Sequence, residues 1–366
     1  MVKSIIPQVF TSMYDASLHL IQHGWVVVSL LSSEQVNTFT NDIHASLHSV
    51  SGSTGSEQCN VFHSGIPRTL GGMIKTHHAS MLRPVHELRK LARTRFYEFL
   101  SQADQHVFDH TNFAIPNNEN ELTCNPDAIF VSSSLHPRFP RAAREHVQKG
   151  GLWWHVDTDE ERSFIQGSVV LQNPIGSEEF CVYSESHKHF DVLDDSRRLG
   201  SDFYMLSLDD LTKLQERGCE AVSLQVPSGS YVLWYSSTVH TVKPFGNALE
   251  PRVQMYVTFA PLHGIRGEER QDLELMKVLA VLLGGSCRHL PYPCGITWQN
   301  GYEGYTRDLI PFGELSSDIM FSRIEDYSDT EFSIYGLDLE TVRESIDFWS
   351  YNWNEQMNTW KIIFDE

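Results

Sequence analysis

His155 and Asp157, within "GLWWHVDTDEERSF" (151–164), are the first residues whose types and spacing could do chemistry. On a strand, side chains two positions apart share a face. An imidazole and a carboxylate placed that way offer nitrogen and oxygen donors to one divalent metal. Two imidazoles and one carboxylate on a metal leave three positions open, the donor set of dioxygen-activating non-heme iron(II) sites. Such a site needs a second histidine far along the chain, on another strand. His240 ends the strand-like run "SYVLWYSSTVH". His187 and His189 in "SESHKHF" read as a turn after a strand, and His77 and His78 precede the strand-rich region. Arg252 favours His240 over these, because it opens the next strand-like run, "RVQMYVTFAP". Splitting dioxygen in two-electron steps calls for a reducing co-substrate. With 2-oxoglutarate the keto acid would chelate the metal, and the far carboxylate would need a cationic fork such as a guanidinium. An arginine on the strand after His240 is expected about one strand spacing from it.

Short strands must position these groups. Between 150 and 262 the runs "GLWWHVD", "SFIQGSVVLQN", "EEFCVYSES", "EAVSLQV", "SYVLWYSSTVH" and "RVQMYVTFAP" alternate with turns, among them "PSG" at 227–229. Regular short strands of this kind point to a sandwich or barrel of antiparallel sheet. "DDLTKLQERGC" (209–219) is an inserted helix or long loop closed by Gly218. Ahead of the strands, a helix reaches Gly24, "WVVVSLL" is a β-branched strand, and Ser32 or Ser33 caps a helix with Val36, Phe39, Ile43 and Leu47 on one face. "SVSGSTGSEQ" (49–58) reads as a surface loop, "SMLRPVHELRKLARTRFYEFLSQA" (80–103) as an amphipathic helix starting near Pro84, and "DAIFVSSSL" (127–135) as a strand. After 262, "EERQDLELMKVLAVLLGG" is helical and leads to an acidic tail rich in aromatics, including Trp298, Trp349, Trp353 and Trp360. That tail is too apolar to stay unfolded and is expected to pack on the barrel. The chain thus divides into a supporting region (1–126), a β core (127–265) and a C-terminal extension (266–366), together one catalytic domain.

Composition narrows the class. The 366 residues carry a formal net charge of −19, which opposes binding to phosphate backbones and anionic membranes. The densest basic stretch, "HPRFPRAAREH", reads as a loop and helix start rather than a nucleic-acid groove. No run of apolar residues is long enough to cross a bilayer, and the N-terminus has no signal-peptide core, so a cytoplasmic protein is expected. The six cysteines form no CxxC pair, as in a reducing compartment. "CRHLPYPC" (287–294) lacks the second ligand pair of a zinc site.

Several stretches resemble the phytanoyl-CoA dioxygenase-like branch of the iron(II)/2-oxoglutarate oxygenases. "HGWVVVSLLSSEQVNTF" is similar to the family's opening strand and capped helix, and "WWHVDTD" with "SFIQGSVVLQN" to its first ligand strand and the next. "FCVYSESHKHF" is similar to its Gly-Ser-His turn with Glu185 in the glycine's place, and "VPSGSYVLWYSSTVH" and "PRVQMYVTFAP" to its second ligand and co-substrate strands. The resemblance spans about residues 15 to 265. It implies a mostly β fold with flanking helices (α+β) around a double-stranded β-helix, jelly-roll or cupin-like, core. It implies Fe(II) on His155, Asp157 and His240, O2 and 2-oxoglutarate as co-substrates with ascorbate as a supporting reductant, and decarboxylation to succinate and CO2 coupled to oxidation of a small molecule. Relatives carry Ser or Thr two residues past the second histidine, where this chain has Val242; co-substrate binding is therefore expected to use Arg252 with Gln166 or Ser236. A protein or nucleobase hydroxylase, or a silent jelly-roll binding module, remains open. Asp157 disfavours halogenation, which needs a small residue there to admit halide.

Overall fold

The computed structural model describes residues 2–51, 73–76, 82–111, 115–126, 129–132, 154–157, 164–174, 179–193, 204–243, 252–261, 277, 286–287, 296–297, 332–337 and 340. Most of the loop expected at 49–58, nearly all of the helix expected after 262, and His77, His78, Trp153, Trp298, Trp349, Trp353 and Trp360 lie outside the described residues.

Two sheets face each other. One contains β1 (Lys3–Ile5), β7 (His155–Val156), β9 (Glu179–Ser184), β10 (Tyr204–Met205), β11 (Glu220–Leu224) and β13 (His240–Lys243), in the order β1-β11-β9-β13-β7-β10. The other contains β2 (Val9–Phe10), β3 (Trp25–Ser29), β4 (Met73–Thr76), β6 (Ile129–Ser132), β8 (Ile165–Gln172), β12 (Ser230–Tyr235) and β14 (Arg252–Tyr256), in the order β2-β3-β12-β8-β14-β6-β4. A short antiparallel ribbon pairs β5 (Leu122–Cys124) with β15 (Phe259–Pro261). The inner quartets, β11-β9-β13-β7 and β12-β8-β14-β6, are antiparallel throughout. The chain crosses repeatedly between them. This strand order is the double-stranded β-helix, or jelly roll, and helices flank it as expected.

Alternation along the strands sorts their side chains between separate cores. Val27, Val170, Phe180, Val182, Val232 and Trp234 fill the space between the sheets. Their neighbours in sequence, Val26, Val28, Val169, Leu171 and Leu233, point the other way and pack with the helices. Buried on both faces, β8 is closed to water along nearly its whole length.

α1 (Met13–His23) begins where Ser12 Oγ accepts the Asp15 N–H and ends at Gly24, whose φ of 81° is left-handed. α2 (Ser33–Ser51) begins with a reciprocal pair: Ser32 Oγ accepts from Gln35 N–H, and Gln35 Oε1 from Ser32 N–H. α3 (Arg83–Gln102) has a proline in its first turn and buries Val85, Leu88, Ala92, Phe96 and Phe99. The insertion between β10 and β11 is a helix, α4 (Leu208–Glu216), opened by a Ser207–Asp210 capping box and followed by Gly218 at φ 89°. From the C-terminal region, Phe332, Ile334, Tyr335 and Leu337 join the helix-side core. There the Tyr335 hydroxyl accepts a hydrogen bond from Arg89, and its carbonyl accepts from Lys277 Nζ at 2.8 Å.

Candidate metal centre

β7 and β13 are hydrogen-bonded neighbours, and His240 lies directly across from His155. Their rings are 4.3 Å apart, so the pairing of two strands joins two distant parts of the sequence. Asp157 lies one residue past β7 rather than within a strand, and its N–H donates to the Ser236 carbonyl at 3.1 Å. That bond ties the chain after β7 to the end of β12 and holds the carboxylate beside both imidazoles. Asp157 Oδ2 lies 3.4 Å from His240 Nε2, and Oδ1 lies 3.9 Å from His155 Nε2. Donor atoms of the three residues all fall within 4.8 Å of one another.

These residues fit a divalent first-row metal. Ligand bonds of about 2.0–2.2 Å require donors roughly 3–4 Å apart, as in the two His–Asp pairs. Metal-bound imidazoles characteristically donate their second N–H to a carbonyl, and ligand carboxylates accept further hydrogen bonds. His240 Nδ1 lies 2.9 Å from the Thr238 carbonyl, an acceptor only. Nδ1 is therefore the donor to that carbonyl, which leaves Nε2, the nitrogen nearer Asp157, as the atom that would meet a metal. Gln166 Nε2 donates to Asp157 Oδ2 at 2.8 Å. Phe180 and Trp234 wall the site, their rings 5.8 and 5.5 Å from that of His240.

The backbone carrying His240 is clamped from behind. Thr238 Oγ1 donates to the Gly24 carbonyl at 2.7 Å, and Val239 N–H donates to Ser186 Oγ at 2.8 Å. His187 Nε2 donates to the Ile21 carbonyl in the last turn of α1 at 3.0 Å. Gly24 sits in the middle of this clamp. A Cβ there would lie 2.4 Å from His187 Nδ1 and 2.6 Å from Thr238 Oγ1, so only glycine fits. Burial, helped by neighbouring His110, pushes His187 down to a pKa of about 3, so its imidazole is neutral. Glu185 opens the Ser186–His187 turn with φ 71°, the sole left-handed non-glycine among the described residues. A glycine is the natural occupant of that conformation.

The remaining sequence candidates have these places. Gln166 holds Asp157, and Ser236 Oγ accepts the Phe164 N–H at 3.1 Å, bracing the start of β8. Arg252 is buried on β14. It is not one strand spacing from His240, because β13 and β14 belong to opposite sheets. Val242 packs at the edge of the inter-sheet core. The clamp residues Thr238 and Gly24 carried no chemical signal in the sequence beyond the helix-stopping glycine.

No protein-family model matches the chain, and a search of curated proteins returns no match. Solved structures do match. An epimerase, SnoN, in complex with Fe3+, alpha ketoglutarate and nogalamycin RO is 13% identical, covers 68% of this chain and 83% of its own, and superposes with a TM-score of 0.43. A putative oxidoreductase from Salmonella typhimurium LT2 is 14% identical over 80% of each chain, with a TM-score of 0.46. EctD from S. alaskensis with bound Fe is 13% identical over 69% of this chain and 77% of its own, with a TM-score of 0.41. The likeness is one of fold. All three superpose loosely, and the jelly-roll assignment rests on the strand order and registers themselves.

Proposed function

We propose that the protein is an Fe(II)/2-oxoglutarate-dependent oxygenase that oxidises a small organic molecule. One observation carries the reading: two imidazoles and one carboxylate converge at one end of a jelly-roll interior, with the His240 tautomer set for ligation and Asp157 held by Gln166. His155, Asp157 and His240 would hold the metal on one face. Bound there, iron(II) would supply the dioxygen chemistry, with the overall balance R–H + 2-oxoglutarate + O2 giving R–OH + succinate + CO2. The protein's part is to keep three donors in place, to hold Asp157 oriented through the Gln166 amide, and to exclude bulk water with the Trp234 and Phe180 walls. Arg252 is the residue proposed to pair with the distal carboxylate of 2-oxoglutarate. It is buried and cationic, and it lies in the sheet that faces the metal ligands on β7 and β13.

Anaerobic titration with Fe(II) and 2-oxoglutarate tests this. A visible charge-transfer band is expected in the wild type and absent in His155→Ala and His240→Ala. Arg252→Ala should retain metal but bind 2-oxoglutarate at least about a hundredfold more weakly, the cost of breaking a buried charge pair being about 3–5 kcal/mol. A band that survives in both histidine variants removes these residues from the site. A binding module without turnover would show metal content and no succinate release with any substrate.

A further inference from the structure

The inner face of the larger sheet carries a row of polar side chains beside the metal centre. Trp234 on β12 is the register partner of Gln166 on β8. On β14, Tyr256 partners Ser168, and the Val257 N–H donates to the Gly167 carbonyl at 2.9 Å. Continuing that register one step sets Thr258 opposite Gln166. Val257 and Phe259 point into the helix-side core, so Thr258 between them points inward. Trp234, Gln166 and Thr258 therefore lie side by side across three neighbouring strands, each about 4.7–4.9 Å from the next. The middle member is the residue that holds the metal-ligand carboxylate.

The two flanking members are unusual. Trp234 is 0% exposed and Thr258 is 1% exposed. Trp234 Nε1 and Thr258 Oγ1 are both buried with no hydrogen-bond partner among the described residues. Buried polar atoms are nearly always paired, and an orphan calls for an explanation. A phenylalanine would fill the Trp234 position, and a valine the Thr258 position, without stranding a polar atom. Trp25, next in the row beyond Trp234, also has an unpaired Nε1, but its ring lies against His19. An indole can only donate, so whatever completes Trp234 must be an acceptor. Beside a divalent cation, the fitting acceptor is a carboxylate oxygen.

Building on the proposed oxygenase reading, we infer that Trp234 and Thr258 are ligand-contact residues whose N–H and O–H hydrogen-bond the carboxylate oxygens of a dicarboxylic 2-oxo acid seated between the sheets. They act in place of the hydroxyl that Val242 does not provide. Binding then pairs two groups that the ligand-free protein leaves unsatisfied, which ties affinity to recognition of carboxylate rather than of apolar surface.

The test uses protein loaded with Zn(II) in place of iron, with 2-oxoglutarate as the probe and no turnover. In protein labelled with 15N at the tryptophan indoles, the resonance missing from Trp234→Phe identifies the Trp234 N–H. It should shift downfield on adding 2-oxoglutarate. By calorimetry, Trp234→Phe and Thr258→Val should each bind the probe about ten- to a hundredfold more weakly, the usual worth of a hydrogen bond to a charged group. Thr258→Val should also raise the thermal midpoint of the ligand-free protein, since it deletes an orphan hydroxyl. Higher stability with weaker binding is a combination that a merely structural threonine does not give. If wild type binds 2-oxoglutarate while the Trp234 signal stays put and both variants bind as wild type does, the inference is overturned and the oxygenase reading stands. If wild type fails to bind 2-oxoglutarate at all, both fall.

Discussion

Replacing Gly24 by alanine probes the clamp behind His240. Two costs are expected. At φ 81° the residue sits in the left-handed region, where an L side chain costs about 1–2 kcal/mol. The added methyl would also meet His187 Nδ1 at 2.4 Å and Thr238 Oγ1 at 2.6 Å. Neither is the free end of a flexible chain, because His187 is tied to Ile21 and Thr238 to Gly24 itself. Overpacking of that kind costs about 1–3 kcal/mol, so the total loss is about 2–5 kcal/mol. Gly218→Ala is the control: φ is 89°, and its Cβ would meet nothing within 4 Å. Only the backbone cost, about 1–2 kcal/mol, applies there. Urea unfolding of wild type and both variants gives the comparison. Metal affinity gives a second one, because displacing Thr238 moves the carbonyl that sets the His240 tautomer. Gly24→Ala should weaken Zn(II) binding, and Gly218→Ala should not. Equal destabilisation of the two variants, with equal metal affinity, would refute the idea that α1 and the Ser186–His187 turn hold the second histidine in place.

Acid should loosen the fold through its buried histidines. His187 is lowered to about 3 by burial and His110, and His19 to about 4 by burial and His23. A base whose folded pKa is depressed leaves stability intact above its unfolded value of about 6.5 and erodes it as pH falls toward the folded pKa. His187 alone should cost about 2 kcal/mol by pH 5, with His19, more open to water, adding less. Urea midpoints that are flat between pH 7 and 5 would contradict this. Glu185→Gly should stabilise the protein by roughly 0.5–1 kcal/mol, because the relief of left-handed strain exceeds the exposed ion pair to Lys188. A lower unfolding midpoint would show that the ion pair or the unfolded chain dominates.

Local physics made much of this molecule readable in one dimension. Runs of β-branched and other apolar residues mark β3, β8, β12 and β14. Gly24, Ser32 and Gly218 mark helix ends or the turns beside them, because capping and left-handed backbone depend on one or two residues. The cluster of His155, Asp157 and His240 was also legible, since His-x-Asp is a local pattern and a distal histidine on another strand is a simple requirement. Which strands become neighbours is a different matter. Pairing β7 with β13 unites His155 and His240, and sending β14 to the opposite sheet moves Arg252 across the barrel instead of beside His240. Gln166 carries an amide that suits a co-substrate as well as a carboxylate, and only the tertiary structure shows that it donates to Asp157, past the end of β7. The clamp through Gly24, Thr238 and Ser186, and the unpaired polar atoms of Trp234 and Thr258, depend on long-range register and burial. No local pattern encodes those, because they arise from contacts between residues far apart in the chain.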